Sequence, residues 1–132
     1  MADSDGAPLR VLQTVPILRI FDVAKAKEFY LDFLGFNLDW EHRFEPDLPL
    51  YMQVSLGALV LHLSEHYGDG SPGSTVFVRV EGLAAYHAQL LAKRYGYLRP
   101  GIERNDRGSL CVQLLDPFGN RLRFDESPSA DA

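Results

Sequence analysis

The sequence predicts an α+β domain built from two βαβββ modules, and three observations carry that prediction. The chain states one pattern twice: Ile17-Leu18-Arg19-Ile20 and a helix-like run to Gly35-Phe36 are echoed by Phe77-Val78-Arg79-Val80 and a run to Gly96-Tyr97. Each half then closes on a glycine and an alternating strand, Gly57 to Leu63 and Gly119 to Phe124. The period, about 60 residues, is too long for a solenoid unit and suits a duplicated half-domain. Two half-open sheets must bury their apolar faces, and such pairing tends to leave a cleft.

Taken in order, residues 1–10 read as a disordered start, and Val11 to Phe21 as a strand interrupted by Pro16, whose missing N–H marks an edge, a bulge or a point of departure from the sheet. Asp22 is placed to cap a helix whose apolar residues Ala26, Phe29, Tyr30, Phe33 and Leu34 recur at helical spacing, with Gly35 as its stop. Phe36 to His42 alternates, with Phe36, Leu38 and Trp40 on one face and Asn37, Asp39 and Glu41 on the other. Residues 50–56 and 58–64 form a hairpin around Gly57, and the turn formers of Tyr67 to Gly73 divide the halves, about 11–66 and 74–126. The second half follows suit: strand 74–80, helix 83–95, a weak strand near 99–104 and a hairpin of 109–115 with 120–126, before a disordered tail over 127–132.

The chain has 132 residues, enough for one domain with a real core, and an ordinary globular composition of 46% hydrophobic and 23% charged residues. No apolar run approaches a membrane span, and Met1 to Pro8 is polar and acidic rather than signal-like. A net charge of −5 without a basic stripe argues against nucleic acid as a partner. Residues 1–73 hold 11 acids against 5 bases, and residues 74–132 hold 7 against 8, so a cation would feel the first half most. The single Cys111 sits in the apolar run Leu110 to Leu114 and reads as an inert core thiol, which leaves a reducing, cytoplasmic setting as the expectation. No Gly-x-Ser-x-Gly elbow, phosphate loop or Cys-x-x-Cys is present.

The strings Val15-Pro16-Ile17-Leu18-Arg19-Ile20-Phe21-Asp22, Phe29-Tyr30-Leu31-Asp32-Phe33-Leu34-Gly35-Phe36 and Leu115-Asp116-Pro117-Phe118-Gly119-Asn120 resemble the glyoxalase/bleomycin-resistance group of the vicinal oxygen chelate superfamily. The resemblance spans residues 12–126 and implies a curved, partly open mixed sheet barrel with a central cleft, commonly in a homodimer. It further implies that the N-terminal strand is exchanged between subunits, with Pro16 at the hinge. The superfamily's enzymes hold a divalent metal on four strands, and the matching positions here are Val15, His62, Thr75 and Arg123. Three of those four are poor donors or none, so neither metal nor other cofactor is expected. The bleomycin-resistance members, which sequester a cationic glycopeptide antibiotic without metal ligands, are the nearest in this likeness.

The candidate ligand-binding residues are Trp40, Glu41, Phe44, Tyr51, His62 and Arg123. Residues 39–47 interleave acids with Trp40 and Phe44 and lead to Tyr51, a set that suits a planar cation. The other reading of that segment is a solvated acidic strand whose aromatics are core, and alternation already sets Trp40 and Glu41 on opposite faces. His62 is either a polar contact in the cleft or a structural histidine satisfied on its own sheet; His42, His66 and His87 read as surface residues. Arg123, matched to His62 across the repeat, either binds an anion or pairs with Asp125. The expected function is metal-free binding of a bleomycin-type antibiotic or similar small molecule at a homodimer interface. The alternative is a metal-dependent glyoxalase-type lyase or a dioxygenase with substitute ligands, such as His42 and His62 with an acid.

Overall fold

A computed structural model describes residues 8–128. Of the two ends expected to be disordered, residues 1–7 and 129–132 lie outside the described residues. The first module comprises β1 (Ile17–Arg19), α1 (Val23–Lys27) continuing as a π-helical stretch (Glu28–Phe33), β2 (Asn37–His42), β3 (Tyr51–Leu56) and β4 (Leu59–Ser64). The second comprises β5 (Thr75–Arg79), α2 (Leu83–Ala92), β6 (Glu103–Arg104), β7 (Leu110–Leu115) and β8 (Arg121–Glu126). Each forms a four-stranded mixed sheet of the same topology, β1-β4-β3-β2 and β5-β8-β7-β6, with the first strand parallel to the last and the others antiparallel. The α+β class and the doubled order are as the sequence predicts, and the sheets are not closed into a barrel.

Three local departures follow from identifiable contacts. The strand expected over 11–21 is reduced to Ile17–Arg19. The Pro16 carbonyl still accepts from His62 N–H at 2.9 Å, but a proline has no N–H to continue a ladder, and upstream the chain leaves the sheet with Leu9, Val11 and Leu12 exposed. The first helix starts as expected, Asp22 accepting from the Lys25 N–H at 2.9 Å, then widens, so that Leu34 N–H bonds to Phe29 O, five residues back. That π-helical stretch buries Phe29, Tyr30 and Phe33 together, and Gly35 ends it at φ 89°. In β2 the register slips between Leu38 and Trp40. Asp39 is the extra residue, and its carboxylate accepts from Gln53 and Ser55 at 3.0 Å each. Leu38 is thereby set opposite Val54, on the core side, while Trp40 is set opposite Gln53, so the shared face expected for Leu38 and Trp40 is lost.

Alternation in the other strands sends Met52, Val54, Leu61 and Leu63 of the first sheet, and Val112, Leu114, Leu122 and Phe124 of the second, into the core with the aromatics of the first helix. Cys111 is out of phase with Val112 and Leu114: it shares the opposite face with Gln113, half-buried beside Asp125, whose carboxylate lies 3.3 Å from its thiol. It is therefore not the core thiol expected, and burial followed by the Asp125 contact raises its pKa.

The two halves are clasped by the Asp116-Pro117-Phe118-Gly119-Asn120 turn. Buried Asp116 accepts from the Tyr30 hydroxyl at 2.7 Å, from the N–H groups of Phe118 and Asn120 at 2.8 Å each, and from the Asn120 side chain at 2.9 Å. Asn120 also donates to the carbonyl of Arg19 at 2.8 Å, so the turn holds both the π-helical stretch and β1 of the other half. Burial raises the Asp116 pKa, and these four donors work against that shift. From the second module, the Tyr86 hydroxyl and the Lys93 ammonium donate to the carbonyls that end the first helix, Leu34, Asp32 and Phe33.

Candidate ligand-binding site

The sheet face turned away from the core carries the polar and aromatic residues of the first module. Strand register sets Ile17, His62, Gln53 and Trp40 in one row across β1, β4, β3 and β2, with Tyr51 and His42 in the next. Trp40 and Tyr51 lie nearly parallel, 13° apart with centroids at 6.0 Å, and the His62 ring meets both edge-on at 5.3 and 5.1 Å. Trp40 keeps 43% of its surface exposed. Three of the six sequence candidates are thus brought together.

A chain of hydrogen bonds fixes the state of this cluster. Gln53 donates its amide to Asp39, so its carbonyl oxygen points to His62 Nε2 at 3.0 Å and must accept. Nε2 therefore carries the ring proton, and the neutral Nδ1 accepts from the Tyr51 hydroxyl at 2.6 Å. The charges agree with this assignment: burial lowers the His62 pKa, and burial with the Asp69 carboxylate raises that of Tyr51. An NMR titration of the His62 ring is expected to give a midpoint below its ordinary 6.5, and a midpoint at or above that value would contradict the assigned relay. The sign for stability follows. The unfolded chain takes up the proton first, so the contribution is present above 6.5 and is lost as the pH falls below it.

The remaining candidates lie elsewhere. Glu41 is opposite Met52 on the core-side face of β2 and pairs with Lys27 of α1 at 2.8 Å, so it does not join Trp40. Phe44 is 76% exposed beyond the strand end, its ring edge-on to His42 at 5.0 Å. Arg123 is on the second sheet, and among the described residues it pairs with no carboxylate, Asp125 included. No hydrogen bond or ring contact joins it to His62. His87, expected at the surface, is half-buried and donates to the Pro100 carbonyl at 2.7 Å. Gln53 was not among the candidates, although its place between Met52 and Val54, in phase with Tyr51, marks the same open face. A cavity of about 300 Å³ lies apart from this cluster, at the seam of the halves, lined by Lys25, Phe29, Tyr95 and Pro117 among others.

Residues 5–131 match the family model described as glyoxalase superfamily protein. The chain belongs to the glyoxalase superfamily. Among solved structures it is similar to a bleomycin-binding protein complexed with bleomycin, at 24% identity and TM-score 0.67 over 89% of this chain and 99% of that one. It is also similar to a bleomycin resistance determinant encoded on the transposon Tn5, at 22% identity and TM-score 0.68 over 90% and 100% of the two chains. A third likeness is to TnmS3, an antibiotic-binding protein from Streptomyces sp. CB03234, at 20% identity and TM-score 0.66 over 90% and 99%. These likenesses carry the fold. No curated protein matches the chain in sequence.

A metal of the kind attributed to glyoxalase superfamily enzymes does not fit the matching positions. Val15 has no side-chain donor, Thr75 offers only a hydroxyl and Arg123 is cationic. Both ring nitrogens of His62 are engaged by Tyr51 and Gln53. The substitute set of His42, His62 and an acid is not assembled either: among the described residues no three histidine, cysteine or acidic side chains converge for a metal. Among the same residues, no helix is long and apolar enough to cross a membrane.

Proposed function

We propose that this glyoxalase superfamily member is a metal-free binding protein that sequesters a planar, cationic small molecule of the bleomycin type. The observation that carries this reading is the near-parallel Trp40–Tyr51 pair on an uncovered sheet face, with the Asp39 carboxylate on the same face. Exposed indole and phenol faces attract flat rings and cations, and the carboxylate favours the same charge. The solved relatives that bind bleomycin or an antibiotic support it by analogy of fold.

A second copy of the chain would complete the cleft. Ile17 and Phe77, in corresponding places on the two open faces, are 40% and 53% exposed, and the apolar arm of Leu9, Val11 and Leu12 leaves the sheet at Pro16 without packing on its own core. Exchange of that arm between protomers would bury it. Isothermal titration with metal-free and copper-loaded bleomycin tests the reading, with saturable heat expected at micromolar drug; no heat would sink it. Light scattering on the eluting peak is expected to give a dimer mass, and a monomer would remove the shared cleft. The lyase or dioxygenase alternative needs donors that the four matching positions do not supply. Stoichiometric metal in protein purified without chelator would overturn the proposal in its favour.

A further inference from the structure

The duplication sets equivalent rows of side chains on the two open faces. In the first sheet Ile17, His62 and Gln53 lie side by side on β1, β4 and β3; in the second, Phe77, Arg123 and Gln113 do so on β5, β8 and β7. Each row reads apolar residue, basic residue, glutamine. The first row is closed on itself, because Gln53 accepts from His62 and His62 accepts from Tyr51. The second is open. Gln113 is exposed, and its side chain makes no hydrogen bond among the described residues. The Arg123 Nε is buried without a partner among them. Arg123 as a residue is only half-buried, and its guanidinium makes no hydrogen bond or ion pair among the described residues, so its outer nitrogens are available to an acceptor from solution.

Charge decides which occupant. Arg121 stands two residues before Arg123 on the same strand and face, and adds positive charge on that side. On the other side lie Asp125, engaged with the Cys111 thiol, and Glu103, opposite Cys111 on β6, offset in part by Arg79, which is opposite Asp125 on β5 with its guanidinium 5.8 Å from the centre of the Phe77 ring. An anion is therefore favoured at Arg123 on the side toward Arg121. Phe77, more than half exposed, flanks Arg123 on the neighbouring strand, about 5 Å away, which is within reach of one small ring.

We infer that the Phe77–Arg123–Gln113 row binds a carboxylate carried on an aromatic body, Arg123 and Gln113 donating to the oxyanion and Phe77 packing on the ring. Arg forks match carboxylates in two-bonded geometry, so the charge and the plane of the ligand are both read. The inference concerns the other sheet and does not rest on the identity of the drug.

The probes are benzoate, benzamide as its uncharged counterpart and sulfate as an oxyanion without a ring, titrated calorimetrically into the full chain. Benzoate is expected to bind saturably, and benzamide and sulfate each about tenfold more weakly or not at all. Arg123→Gln is expected to weaken benzoate about tenfold, and Gln113→Ala about threefold. Phe77→Ala, a change at an exposed ring, keeps the test open should Arg123→Gln fail to fold; it is expected to weaken benzoate while leaving sulfate as it was. The inference is overturned if benzoate does not saturate, if benzamide equals it, or if neither Phe77→Ala nor a folded Arg123→Gln changes its affinity. A folded Arg123→Gln that shifts the protein toward monomer with unchanged benzoate binding would give the guanidinium to a second copy instead, and would overturn it equally.

Discussion

Replacing Asp116 by alanine is expected to cost the fold about 4 kcal/mol, read as a lower midpoint and extrapolated stability in urea unfolding followed by circular dichroism. Asp116 is 4% exposed and its carboxylate accepts four hydrogen bonds. Alanine would leave two backbone N–H groups, the Tyr30 phenol and one N–H of the Asn120 amide without their acceptor in a place largely shielded from water. At about 1 kcal/mol for each abandoned donor, the sum is a large part of the roughly 5–15 kcal/mol that holds an ordinary domain. The damage would not be local, since the same turn reaches the π-helical stretch through Tyr30 and β1 through the Arg19 carbonyl. Tyr30→Phe removes one of the four bonds and is expected to cost about 1–2 kcal/mol. Asp116→Asn keeps the acceptor for the backbone groups but turns an amide toward the Asn120 amide, donor against donor, and should fall between the two. A loss below about 1 kcal/mol for Asp116→Ala would mean that core packing, rather than this clasp, joins the halves.

Much of this architecture was legible because its signals are local. Glycines at the ends of the repeated runs, Asp22 ahead of a periodic helix and strict alternation in β3, β4, β7 and β8 each act over a few residues. What escaped depends on partners far along the chain. The bulge at Asp39 exists through bonds to Gln53 and Ser55, so the alternation of 36–42 read correctly until its middle and wrongly across it. Cys111 was misplaced for a different reason: its apolar character outweighed its phase, which is that of Gln113. The same attention to phase would have found Gln53, a polar residue between two buried ones and the element that sets the proton on His62. Glu41 and Phe44 were grouped with Trp40 by composition, and parity and the strand end part them. Pro16 was read as an edge, a bulge or a departure point, and among the described residues the segment before it pairs with no strand.

Trp40→Ala is expected to weaken bleomycin binding about thirtyfold, equivalent to about 2 kcal/mol, while changing the stability of the protein by less than about 1 kcal/mol. The asymmetry follows from the position of the indole. It stands on the open face, 43% exposed, and the core beneath is filled by Met52 and Val54 of the next strand rather than by the indole itself. Truncation therefore removes a ligand-facing ring without opening a cavity. Trp40→Phe keeps a stacking face of smaller area and should recover part of the loss. Tyr51→Phe separates stacking from the proton relay, because it keeps the second ring and deletes only the hydroxyl that donates to His62. Its effect on the drug is expected to be small. The His62 midpoint is expected to stay below 6.5, because the burial that depresses it is not relieved by the loss of one hydroxyl. If instead Trp40→Ala binds bleomycin as the parent does and Tyr51→Phe does not, recognition rests on the polar chain Asp39–Gln53–His62–Tyr51 rather than on the aromatic pair. The ligand class would then follow from hydrogen-bond donors and acceptors, not from ring faces.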